Sequence, residues 1–193
     1  IDYTAEVSNV YHENQVTIVS GLPRSGTSLM MQMLDKGGVD ILQDQLREAD
    51  ISNPKGYYEY KPVMSLYKDN TWLSKGQDKA VKVVAPLLKY LDSTLRYKII
   101  FMRRDLNEII QSQQKMIGKS EQEFPVTLYN KYQKLLANVT LWDKSEPGVE
   151  ILYVNYTDVL ENPASELARI EKFLGVAVDK QEMINCVDVS LYR

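Results

Sequence analysis

One cysteine, Cys186, and one histidine, His12, stand in a chain of 193 residues. A lone thiol cannot close an intramolecular disulfide, so the fold has to hold by packing and a reducing compartment is the simpler setting. Cys186 itself reads as a small buried hydrophobe. No stretch approaches the ~20 consecutive apolar residues of a membrane-spanning helix, and no charged-then-apolar leader opens the chain. The expected location is therefore cytoplasmic, with a removed leader left open because the sequence begins at Ile1. A net charge of -3 supplies no basic excess, which argues against a nucleic-acid or membrane-surface binder.

What is present fits one ordinary domain over residues 1–193, with 44% hydrophobic and 25% charged residues. Positive charge is locally concentrated all the same. Lys79, Lys82, Lys89, Arg96, Lys98, Arg103 and Arg104 lie close together with Asp92 as the one acid among them. Such a run reads either as a confined anion site or as a solvated face. Val16–Ser20 is a short β-branched run closed by Gly21 and Pro23, a buried strand in pattern. From about Thr27 the spacing of Leu29, Met30, Met33 and Leu34 predicts a helix that Gly37 and Gly38 end.

Residues 39–62 read as a functional loop, with Asn53-Pro54-Lys55-Gly56 as a turn. Ala80–Ala85 and Lys98–Met102 are further strand candidates. The second runs into Asp105, an N-cap with Glu108 three residues on, and a helix with Leu106, Ile109, Ile110, Met116 and Ile117 as its apolar face. Glu108 and Ser112 then fall on other faces. Pro125 opens a long amphipathic helix through Leu128, Tyr132, Leu135, Leu136, Val139 and Trp142, ended by Pro147-Gly148. Glu150–Asn155 is a last strand, and Asn162-Pro163 starts a helix that Gly175 stops. This alternation predicts an α/β fold, an open and mostly parallel sheet with helices on both faces.

The loop Gly21-Leu-Pro-Arg-Ser-Gly-Thr-Ser28 lies between a strand and a helix. Its backbone N–H groups can converge on an anion beside the positive end of the helix. In the nucleotide-hydrolysing form of such a loop a lysine follows the second glycine, but Thr27 stands there. Arg24 offers a guanidinium inside the loop instead, suited to fork-like contact with oxyanions. No later strand ends in an aspartate placed to hold magnesium. The loop reads as built for an anion without a metal.

This pattern resembles the sulfotransferases that use 3′-phosphoadenosine 5′-phosphosulfate (PAPS), whose 5′-phosphosulfate loop often reads Pro-Arg-Ser-Gly-Thr-Ser/Thr. By that resemblance Arg24, Ser25, Gly26, Thr27 and Ser28 hold the 5′-phosphosulfate, with Arg24 where cytosolic members carry lysine and the tyrosylprotein branch carries arginine. The family's second signature is a strand-end arginine followed eight residues later by a serine, which together grip the 3′-phosphate. Arg104 and Ser112 have that spacing, and a strand-end guanidinium with a hydroxyl from the next helix can bracket a phosphate on physical grounds alone. Near the end, Tyr153-Val-Asn-Tyr156-Thr-Asp158, Asn162-Pro163 and Phe173-Leu-Gly175 resemble later family elements. They imply Tyr156 near the adenine, or a core tyrosine. Cytosolic members continue into a glycine-rich basic segment that also touches the 3′-phosphate. It has no match here, so that contact is absent, supplied differently or outside this sequence.

Sulfuryl transfer needs positive groups around the moving sulfonate and a base for the acceptor proton. Arg24 supplies the first, and Lys82 resembles the family lysine at the sulfonate or bridging oxygen. Cytosolic members place a histidine two residues after that lysine. Val84 stands there, and His12 precedes the first strand, so a carboxylate is expected as base. Asp44, Glu48 and Glu59 are the candidates. Glu59 is favoured because partial burial among Tyr57, Tyr58 and Tyr60 would raise its pKa toward that of a working base. The expected catalytic set is Glu59, Lys82 and Arg24, with PAPS as donor, PAP as product and no metal. The acceptor is a small-molecule, glycan or peptide hydroxyl, or an amine, with Tyr57, Tyr58, Tyr60, Tyr67 and Trp72 either lining its pocket or packing a core. The other readings are a P-loop kinase or nucleotide hydrolase, and a non-catalytic nucleotide-binding module.

Overall fold

The computed structural model describes residues 15–44, 56–119 and 123–188. Its centre is a four-stranded, wholly parallel sheet in the order β2-β1-β3-β4, formed by β1 (Gln15–Gly21), β2 (Ala80–Lys82), β3 (Arg96–Arg103) and β4 (Val149–Asn155). Strands covered on both faces need apolar residues at every position, and Val16, Ile18 and Val19 of β1 and Ile99, Ile100, Phe101 and Met102 of β3 are all buried. α1 (Thr27–Lys36), α5 (Pro163–Leu174) and α6 (Lys180–Asn185) cover one face, where Met30, Met33, Leu34, Ile170 and Met183 pack on Val19, Ile100 and Met102. The other face carries short 3-10 turns over 61–90 and α3 (Val126–Ser145), with Leu73, Leu88 and Val139 against Ile18, Val81 and Phe101. α2 (Leu106–Met116) docks on α3 through Ile109, Ile110 and Tyr132. Among the described residues no helix is long and apolar enough to cross a membrane.

Register decides where the site can form. Gly21 lies opposite Met102, so the loop leaving β1 and the arginine pair leaving β3 emerge side by side at the carboxyl edge of the sheet.

Several expectations change. The strand expected over 80–85 is shorter: its last ladder bond is Val83 N to Val19 O, and Pro86, without an N–H, turns the chain into a 3-10 helix over Ala85–Tyr90. Met116 and Ile117 were expected on the buried face of α2, yet both are exposed, while Ser112 is buried. Only Tyr132 and Val139 of α3 are buried, a narrower stripe than its spacing suggested, and α3 stops at Ser145 before Pro147. α4 (Tyr156–Glu161) and α6 are too short to show a period and were not foreseen. Gly175, at φ 73, ends α5 in the left-handed conformation as expected.

Candidate functional site

After β1 the chain makes a tight turn, closed by Ser25 N donating to Leu22 O at 3.1 Å, and enters α1 at Gly26. Gly26 takes φ 98, and among the described residues no side chain caps the helix start. A Cβ added there would lie 2.4 Å from Cδ2 of Tyr156, so the tyrosine ring rests against bare backbone that only glycine offers. Ser25 is fully buried, and among the described residues its hydroxyl has no hydrogen-bond partner. A buried hydroxyl beside uncapped helix N–H groups is satisfied by an oxyanion. The residues present therefore fit a bound phosphate or sulfate ester.

The second cluster stands at the start of α2, where Asp105 accepts hydrogen bonds from the N–H groups of Asn107 and Glu108. Arg104, its side chain only 5% exposed, donates from Nε to Glu108 Oε2 at 2.8 Å and from Nη1 to the carbonyl of Arg24 at 3.2 Å. Its guanidinium also stacks over the Tyr156 ring, 4.9 Å from the centroid. Arg24, at φ 71, donates from Nε to Ser112 Oγ at 3.0 Å and from Nη1 toward Met116 Sδ at 3.9 Å. The structure thus joins Arg24, Arg104, Ser112 and Tyr156 in one cluster.

The third element is Lys82 at the end of β2. Its Nζ donates to Ser28 Oγ at 3.0 Å and to the Tyr57 carbonyl at 2.8 Å, and lies 5.9 Å from the Tyr57 ring centroid. Segment 56–60 is thereby tied to the first turn of α1. Glu59 rides on that segment but is exposed, which corrects the partial burial expected of it. Asp44 N donates to Glu59 O at 3.2 Å, and Asp44 Oδ2 accepts from Lys61 N at 2.5 Å, so Asp44 pins the loop. Glu48 and His12, like the turn at Asn53-Pro54-Lys55, lie outside the described residues.

Of the aromatic group, Tyr57 and Trp72 are buried, and Tyr60 packs edge-on against Trp72 at 5.1 Å. Tyr67 is exposed and tilts toward Tyr90. These rings build core as much as pocket. The basic run also divides. Lys82 and Arg104 reach the cleft, Lys98 donates to Leu174 O near the opposite end of β3, Arg103 stacks on Tyr153, and Lys89 and Arg96 are exposed.

A family model described as the sulfotransferase domain matches residues 14–192. The chain belongs to the sulfotransferase family. As a sulfotransferase it is an enzyme that transfers a sulfuryl group, which disfavours the kinase and non-catalytic readings. Its fold is similar to the sulfotransferase domain of the Synechococcus PCC 7002 olefin synthase, at 16% identity and TM-score 0.60, covering 93% of this chain and 79% of that one. The sulfotransferase domain from the curacin biosynthetic pathway gives 16% identity and TM-score 0.54, over 91% and 78% of the two chains. A mouse sulfotransferase complexed with PAP gives 14% and 0.50, over 92% of this chain and 63% of that one. No curated protein matches the sequence.

Two parts of the sulfotransferase cleft were missed by sequence reasoning. One is the Arg104–Glu108 ion pair, readable in principle from its four-residue helical spacing. The other is the bond from Lys82 to a backbone carbonyl, for which the sequence carries no sign.

Proposed function

We propose that this sulfotransferase uses PAPS as donor, transfers its sulfuryl group to a hydroxyl or amine of a small molecule, glycan or peptide, and releases PAP. The loop amides, Ser25, Thr27 and Ser28 hold the 5′-phosphosulfate. Arg104 and Ser112 hold the 3′-phosphate, and Tyr156 sits between the two where the adenosine would pass. Lys82 meets the charge that grows on the bridging oxygen as the sulfur–oxygen bond to the 5′-phosphate breaks. The acceptor oxygen or nitrogen forms the new bond to sulfur, and its proton goes to Glu59.

One observation carries this reading: the loop after β1 and the arginine–serine pair after β3 are in direct contact, through Arg24 Nε on Ser112 Oγ. Two oxyanion subsites on one sheet edge suit a nucleotide with phosphate at both ends of its ribose. Thermal shift and calorimetry with PAP, PAPS, ATP and GTP, each with and without magnesium, test it. PAP and PAPS should stabilise the protein independently of magnesium. Stabilisation by ATP with magnesium and none by PAP would defeat the assignment.

A further inference from the structure

A cavity of about 230 Å³ lies between the carboxyl ends of β3 and β4, the start of the donor loop, and helices α2 and α3. Leu22, Phe101, Ile109, Leu136, Val139 and Tyr153 line it, and its wall is apolar apart from Arg103 and Arg104. Phe101, Val139 and Tyr153 pack on the sheet face that α3 covers, whereas Tyr156 packs on the face of α1 and α5. The cavity is therefore separate from the tyrosine ring that rests on the donor loop. Lys82 is further off, because β1 lies between β2 and β3 and two strand spacings come to about 10 Å. Close-packed interiors hold few voids larger than a water molecule. An apolar cavity of about 150 Å³ can already take up benzene, so this one has room for a single ring with a short tail.

The two arginines of the wall differ. Arg104 is engaged with Glu108, the Arg24 carbonyl and the Tyr156 ring. Arg103 is exposed, and its guanidinium lies 3.7 Å from the centroid of the Tyr153 ring. Among the described residues no carboxylate lies within ion-pair distance of it. Asp143 accepts instead from the Tyr153 hydroxyl at 3.3 Å, which fixes the ring, and Phe101 meets that ring edge-on at 5.7 Å. A guanidinium stacked on a fixed ring keeps its N–H edge open to a planar carboxylate, while its stem covers apolar surface. We propose that the cavity is a second ligand site, for a small hydrophobic monocarboxylate whose hydrocarbon part fills the cavity and whose carboxylate meets Arg103. Apolar walls with one convergent polar group are the usual make-up of such a pocket. The site does not depend on which nucleotide fills the cleft.

The test is a ligand-observed NMR titration with 3-phenylpropanoate and with its neutral counterpart 3-phenylpropan-1-ol, each with and without saturating PAP. The wild type should bind the acid about 10- to 100-fold more tightly than the alcohol, the range for a charge-assisted hydrogen bond. Arg103→Gln should erase that advantage and leave the alcohol unchanged. Val139→Phe, which fills the cavity, should abolish binding of both; if it melts early, the exposed Arg103→Gln carries the test. PAP should displace neither ligand. Displacement of the acid by PAP would put it in the nucleotide cleft and overturn the site, as would a wild type that does not bind the acid. Equal affinities for acid and alcohol, or an Arg103→Gln variant that keeps the preference, would remove Arg103 from the site and overturn the proposed ligand class. A wild type that ignores PAP but passes the other arms would bring down the PAPS reading and leave this site standing.

Discussion

Lys82 Nζ lies 3.0 Å from Ser28 Oγ, and this bond links the end of the shortest strand to the first turn of α1. Because the same ammonium also holds the Tyr57 carbonyl, it fixes segment 56–60 against the donor loop. Lys82→Met should lower kcat by roughly 10²- to 10³-fold, the usual loss when one donor to a developing oxyanion is removed. PAP affinity should fall much less. Steady-state kinetics with PAPS alongside PAP calorimetry gives both numbers, and equal losses in the two would reduce the lysine to ground-state binding.

The two described candidate bases, Glu59 and Asp44, separate by what they touch. Glu59 is exposed, so Glu59→Gln should leave the melting temperature unchanged while lowering kcat by about 10²-fold or more. Asp44 accepts the Lys61 N–H, so Asp44→Ala should cost on the order of 1 kcal/mol of stability. Chemical denaturation and turnover assays on both variants tell them apart. Were the effects reversed, the base would be Asp44.

Gly26→Ala pushes a methyl into the Tyr156 ring, 2.4 Å from Cδ2, at a φ of 98 that alanine avoids. The expected destabilisation is about 1–3 kcal/mol, together with loss of PAP binding, because the same backbone forms the amide cradle. Thermal unfolding with and without PAP measures both.

An alkaline transition provides a fourth test. Burial, reinforced by the nearby Asp35 carboxylate, pushes the Tyr58 phenol from 10.0 up to about 12, and its hydroxyl donates to Asp35 Oδ2 at 3.2 Å. A folded-state value above the unfolded one means that the native form holds the proton longer. Its stabilising contribution is complete below pH 10.0 and disappears as pH climbs toward about 12. Tyr97, pushed further upward by burial, adds to the same limb. Tyr58→Phe should therefore lose stability at neutral pH and show a shallower decline across that window, followed by denaturant midpoints at stepped pH.

How much of this could be read in advance follows from the range over which each feature is determined. The glycine-bounded loop and the Arg104-to-Ser112 spacing are local, set by a strand end and the first turns of a helix, and the strands of the sheet came from β-branched runs. Features that depend on distant residues were not readable. Arg24 meets Ser112 across 88 positions, and Lys82 meets Tyr57 across 25. The exposure of Glu59 depends on how its loop lies, not on its aromatic neighbours in sequence. Met116 keeps the period of an apolar face, yet stands beside a guanidinium because the donor loop passes there. The strand over 80–85 was overextended because β-branched content outweighed Pro86, which cannot donate to a ladder.

Parallel pairing has a consequence for how the enzyme is made. β1 precedes the donor loop, its ladder partners begin at Ala80 and Arg96, and the end of α1 is bonded to the chain before α6 through Asp179 N on Gly37 O. On the ribosome β1 must wait, unpaired and apolar, until the chain through Arg103 has emerged. Chaperone dependence during synthesis should accordingly centre on residues 15–44, and a nascent chain stalled before α6 should leave the cleft unassembled.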